Sequence, residues 1–140
     1  ERMVEFLDIQ TQVDLHCEPV EQFDFAHCDP VDVVVTSPPY FDLEVYESSD
    51  QQCYNQFDSY STWRDQWFVP TVNASIALLR PSGISAWNVM NVGRWDLTGD
   101  LIHAHNKQGW VLTQTVGFQS PLNNIRRLKN KDVTYVFRKK

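Results

Sequence analysis

A chain of 140 residues with 42% hydrophobic and 13% aromatic side chains can bury one real core, which excludes a disordered or low-complexity polypeptide. No apolar run approaches the roughly 20 residues that span a bilayer, and the opening residues are not expected to act as a signal peptide. The net charge of −6 is unevenly placed, because residues 121–140 hold Arg126, Arg127, Lys129, Lys131, Arg138, Lys139 and Lys140 against one acid, Asp132, so a basic end follows an acidic body.

Taken in chain order, residues 1–10 place Met3, Val4, Phe6, Leu7 and Ile9 in a pattern that suits the tail of a helix. Residues 13–17 (VDLHC) read as a short strand, and 19–29 as a connector with weak helical pattern around Val20, Phe23 and Phe25. Residues 31–35 (VDVVV) are expected to form a strand buried on both faces, as parallel strands are. The acidic, aromatic stretch 41–58 is too long for an ordinary connection and reads as a functional loop or lid. Tyr60, Trp63, Trp67, Val72, Ile76 and Leu79 predict a helix over 59–80, kinked at Pro70 and stopped by Pro81-Ser82-Gly83.

Residues 84–89 (ISAWNV) then make a strand. A helix over 96–108 follows, with Leu97, Leu101, Ile102 and Ala104 inward and Gly109 at its end. Strands at 110–118 and 132–138 close the chain, joined by the basic loop 119–131. This order predicts an α/β layered fold whose last two strands are antiparallel. Ligands in such sheets gather at the carboxyl ends of the strands, and Thr36 to Tyr40 occupies one such end.

The Thr36-Ser37-Pro38-Pro39-Tyr40 turn carries the most specific chemistry. Each proline fixes its own φ and pushes the residue before it to an extended conformation. Neither proline donates a backbone hydrogen bond, so the Ser37 hydroxyl and the carbonyls of Ser37 and Pro38 form an acceptor-rich surface beside the Tyr40 ring. An exocyclic amine on a planar heterocycle matches that surface: its N–H groups would meet fixed acceptors while Tyr40 stacks on the ring. The simpler reading is a proline turn that ends a strand and packs its tyrosine into the core.

A hydrophobic strand running into Thr-Ser-Pro-Pro-Tyr resembles motif IV of the amino-group DNA methyltransferases, which methylate N4 of cytosine or N6 of adenine. The Ser-Pro-Pro-Tyr form looks more like the cytosine-N4 branch. The helix YSTWRDQWFVP, the step LLRPSGISAWNV into a strand and the closing strand VTYVFRK also look like the carboxyl-terminal half of that catalytic domain, so that the likeness spans roughly residues 13–140. The resemblance implies a partial Rossmann-like sheet and S-adenosyl-L-methionine as cofactor. Ser37, Pro38, Pro39 and Tyr40 would be the catalytic turn that orients the target base, with Thr36, Ser37 and Glu18 at the cofactor. It further implies DNA as partner, with Tyr40, Phe41 and Asn88 at the flipped base and Arg126, Arg127, Lys129 and Lys131 at phosphates.

The chain departs from the family in one large respect. Its five glycines, Gly83, Gly93, Gly99, Gly109 and Gly117, form no closely spaced pair that would make the cofactor's glycine-rich cradle. The expectation is therefore the carboxyl-terminal half of a catalytic domain, completed by an amino-terminal half or by a second copy of the chain. In that sheet the strand at 13–17 pairs with 31–35 or with another copy, and the strands 31–35, 84–89, 110–118 and 132–138 lie in the order first, second, fourth, third.

Other groupings point elsewhere with less force. His16-Cys17 and His27-Cys28 lack the tight Cys-x-x-Cys spacing of a zinc site, so no metal is expected. Three cysteines, an odd count, suggest free thiols in a reducing, cytoplasmic setting. Cys-Glu-Pro and Cys-Asp-Pro reverse the Pro-Cys order of carbon-5 methylation. Asp42 and Glu44 could relay a proton, and Asn91, like Asn88, stands where a base pocket or a turn closure would be. An RNA or protein-amide methyltransferase, and a cofactor-free domain that binds nucleic acid or a partner, are the alternative functions.

Overall fold

The computed structural model describes residues 14, 16–18, 20, 23–43, 53–117 and 133–140. The predicted helix at 1–10, Glu44 and the basic loop with Arg126, Arg127, Lys129 and Lys131 lie outside these residues.

Val31–Thr36 forms β1, a β-branched run of the kind that fits a pleated surface. It pairs in parallel with β2, Leu79–Val89. Trp110–Gly117 forms β3 and Val133–Lys139 forms β4. β4 lies antiparallel to both β2 and β3. The sheet order is β1-β2-β4-β3, the expected sequence of first, second, fourth and third. The result is a mixed sheet with one parallel pair, joined by helices into an α/β fold.

The crossover from β1 to β2 is helical but not uniform. The Ser59 hydroxyl caps α1, Tyr60–Trp63, by accepting the Thr62 N–H at 3.2 Å. The chain then widens into a π-helical turn, Arg64–Phe68, in which the Val69 N–H reaches back to the Arg64 carbonyl. α2, Val69–Ala77, follows with Pro70 in its first turn. The expected kink at Pro70 is thus a π-helical turn. A proline lacks the N–H that would close an α-turn and its ring collides with the carbonyl four residues back, and the wider turn makes room for it.

β2 begins earlier than the Pro-Ser-Gly breaker suggested, at Leu79 and not at Ile84. Val31 pairs with Leu79 and Val33 with Ile84, so residues 80–83 bulge out of the ladder, where a proline is tolerated. Gly83 is required there, because a Cβ would meet the Arg80 carbonyl oxygen at 2.9 Å and that of Asp32 at 3.1 Å. Asp96 caps α3, Leu97–Lys107, by accepting the Gly99 N–H at 3.1 Å. Gly109 ends the connection with φ 76°, a conformation that suits glycine.

All three helices pack on one face of the sheet. Trp63, Trp67 and Phe68 meet Trp87, Val89 and Phe137 from the strands and Leu97, Leu101 and Ala104 from α3 in a single buried cluster. His105 sits inside it, stacked 3.7 Å from Phe137. Its Nδ1 lies 2.9 Å from the Leu101 carbonyl and its Nε2 2.9 Å from Ser85 Oγ, which also accepts the Trp87 indole N–H at 2.8 Å. A carbonyl can only accept, so Nδ1 carries the proton and Nε2 accepts from Ser85. Burial holds this imidazole's pKa down at about 4.

Two expectations fail at the other face. β1 is not buried on both sides: Val33 is 48% and Val35 74% exposed, because no described helix covers that side of the sheet. The predicted strand at 13–17 is not found either, since Asp14, His16 and Cys17 belong to no strand, while Val13 and Leu15 lie outside the described residues. β1 therefore stands at the edge of the described sheet, paired with β2 and not with residues 13–17.

Candidate functional site

Thr36 ends β1, and Ser37 to Tyr40 leave the sheet beside the end of β2. Ser37 is exposed, Pro38 and Tyr40 are buried, and Pro39 is half-buried. The turn is pinned through Tyr40. Its hydroxyl lies 2.8 Å from Asn88 Oδ1, 3.1 Å from the Asn88 carbonyl and 3.2 Å from Ser37 Oγ. The Asn88 amide nitrogen in turn donates to Thr134 Oγ1 at 3.3 Å, which fixes the orientation of that amide.

Proton bookkeeping decides what faces outward. A phenol has one hydrogen, and the shorter contact assigns it to Asn88 Oδ1. Ser37 must then donate its own hydrogen to the Tyr40 oxygen, which leaves the Ser37 lone pairs open as acceptors. The exposed Ser37 hydroxyl then keeps accepting capacity on the outer side of the turn. The tyrosine follows the simpler reading, a turn that packs its ring into the core, and not the expected stacking on a ligand. At 6% exposure the Tyr40 ring belongs to the core cluster and offers little of its face to a ligand.

Phe41 follows in a left-handed conformation, φ 53°, where a bulky residue is strained. Its ring is held among Tyr60, Trp63 and Trp95, with centroids 5.6, 5.5 and 6.4 Å away. Trp95 stacks flat on Tyr60 at 4.7 Å, and the exposed Arg94 lies over Trp95 at 4.4 Å. The Tyr60 hydroxyl donates to Asp100 Oδ2 at 2.7 Å. Burial, and then this carboxylate, hold its pKa far above the ordinary phenol range. Arg64 reaches the other oxygen of Asp100 at 3.7 Å.

The structure brings Thr36, Ser37, Pro38, Pro39, Tyr40, Phe41 and Asn88 together. Asn91 closes a turn instead, its side-chain oxygen accepting the Thr98 N–H at 2.9 Å. Glu18 stands in an exposed segment with its carboxylate 4.0 Å from His16, and no described contact joins it to Thr36 or Ser37. These three residues do not assemble a cofactor cradle among the described residues. Asp42 is exposed, and Cys17 and Cys28 are free thiols. Trp95 and Arg94 carried no signal in spacing, because the turn that presents them is set by Gly93 at φ 55° and a bridge between Val92 and Trp95. Among the described residues no helix is long and apolar enough to cross a membrane. Comparison with protein-family models, curated proteins and solved structures finds no match to this chain.

Proposed function

We propose that this chain is the carboxyl-terminal half of an S-adenosylmethionine-dependent methyltransferase catalytic domain acting on the exocyclic amine of a flipped base, cytosine N4 ahead of adenine N6. The observation that carries the reading is the acceptor turn at the carboxyl end of a parallel strand, with Ser37 oriented by Tyr40 and Asn88. In this reading the Ser37 hydroxyl and the neighbouring carbonyls receive the N–H groups of the amine and hold its lone pair toward the methyl donor. Direct displacement needs no covalent intermediate, so positioning and exclusion of water supply most of the acceleration.

The methyl donor calls for residues beyond those assembled here, since Glu18, Thr36 and Ser37 make no cradle. The sheet order β1-β2-β4-β3 supports the same reading, and the exposed apolar face at Val33 and Val35 would be covered by an amino-terminal half or by a second copy. Arg126, Arg127, Lys129 and Lys131 would contact DNA phosphates. A second reading, a cofactor-free domain that binds nucleic acid or a partner chain, is favoured by one observation, the burial of Tyr40. Methyl transfer from labelled S-adenosylmethionine to DNA, RNA and protein, assayed with the full-length protein, separates the two. Label in DNA amines supports the first reading, label in RNA or protein redirects the substrate, and no label in any acceptor leaves the second.

A further inference from the structure

On the helix side of the Ser-Pro-Pro turn a cavity of about 320 Å³ opens between β1, the π-helical turn and α2. Val34, Trp67, Trp87 and Pro38 give it apolar walls, and Thr71 and Ser75 line it from α2. The Ser75 hydroxyl is satisfied, donating to the Thr71 carbonyl at 2.8 Å. The Thr71 hydroxyl is not. Thr71 is 5% exposed, and its Oγ1 is closed off from solvent with no hydrogen-bond partner.

A helical threonine ordinarily returns its hydroxyl to a carbonyl three or four residues back. Here those residues, Phe68 and Trp67, lie in the π-helical turn, and the bond is not made. A buried hydroxyl without a partner is costly, and π-helical turns occur often at functional sites. Pocket size, wall chemistry and the unpaired hydroxyl agree on one kind of occupant. The volume lies near the small end of ligand pockets and is about twice that of a cavity known to take a benzene ring.

We propose that this cavity is a binding site for a small planar aromatic molecule of one or two rings, which packs against Trp67 and Trp87. It gains the Thr71 hydroxyl as partner for a polar edge once that side chain rotates about χ1 out of its closed position. Thr36, Ser37, Pro38 and Pro39 also line the cavity, so an occupant bears directly on the turn. The inference stands on the cavity and the hydroxyl and does not depend on methyl transfer.

The test is calorimetric titration of the full chain with indole, quinoline and naphthalene, which offer a donor edge, an acceptor edge and neither. Indole or quinoline is expected to bind saturably and about fivefold tighter than naphthalene, the worth of one hydrogen bond. Thr71→Val keeps the shape, removes an unpaired group and should fold normally, and it should abolish that preference. Ser75→Leu, which fills the cavity, should weaken all three ligands, with circular dichroism and the thermal midpoint confirming that the variant is folded. No saturable binding to the natural chain, equal binding of the three, or a preference that survives Thr71→Val would overturn the proposal.

Discussion

The Tyr40 hydroxyl sits 2.8 Å from Asn88 Oδ1, a bond across 48 residues that ties the end of β1 to the end of β2. Tyr40→Phe removes it while keeping the buried ring, and should cost about 1 kcal/mol. Asn88→Leu leaves the Tyr40 hydroxyl without its best acceptor and should cost about 1–3 kcal/mol. The double variant should be less destabilised than the sum of the two, as expected for partners in one bond. Urea denaturation of the four proteins measures this. Strict additivity would show that the two residues act independently.

Phe41 reverses a usual rule. Glycine is normally less stable than alanine within ordered backbone, but Phe41 has φ 53°, where a Cβ costs about 1–2 kcal/mol. Phe41→Ala and Phe41→Gly both lose the ring contacts to Tyr60, Trp63 and Trp95. The glycine variant should nevertheless be the more stable of the two by about 1 kcal/mol. Equal stabilities in thermal unfolding would mean that the backbone relaxes once the ring is gone.

Those two residues also mark how far the sequence carried the description. Periodicity and turn chemistry were enough for the helix capped by Asp96 and for the four strands of the sheet. The order β1-β2-β4-β3, in contrast, was implied by the resemblance to the methyltransferase catalytic domain. The early start of β2 was hidden because Pro81 and Gly83 read as breakers, whereas a bulge absorbs both. The Pro70 effect was placed correctly but took the form of a wider turn, which depends on where the ring and the Gln66 carbonyl fall in space. The exposure of Val33 and Val35 could not be read from a β-branched run that looks the same at a sheet edge as in its middle. The burial of Tyr40 was one of two local readings of the turn, and its bond to Asn88 is a tertiary fact with no local signature.

Acidification should weaken the fold through His105. Unfolded, the imidazole titrates near its ordinary pKa of 6.5, whereas in the core burial holds it at about 4. Between these values the unfolded chain binds a proton that the folded chain refuses. The stabilisation is therefore full above pH 6.5 and is lost as pH falls toward 4, by about 3 kcal/mol in all. His105→Gln should flatten the pH dependence of the unfolding free energy across that window relative to the natural chain. An unchanged slope would mean that His105 is protonated in the fold.

If residues 119–131 contact phosphates, Arg126→Gln with Arg127→Gln should weaken DNA binding about equally for all sequences. The slope of log affinity against log salt should fall by about two. A changed sequence preference at an unchanged salt slope would show that these side chains read bases.

The turn's acceptor role is tested most directly by methyl transfer with Ser37→Ala in the full-length protein. Label from S-adenosylmethionine should be recovered as N4-methylcytosine or N6-methyladenine after digestion of DNA to nucleosides. Ser37→Ala should lower kcat/KM for DNA by about tenfold, the loss of one hydrogen bond to the reacting amine, with little change in the thermal midpoint. Label in no exocyclic amine, or a Ser37→Ala variant as active as the natural protein, would contradict the account.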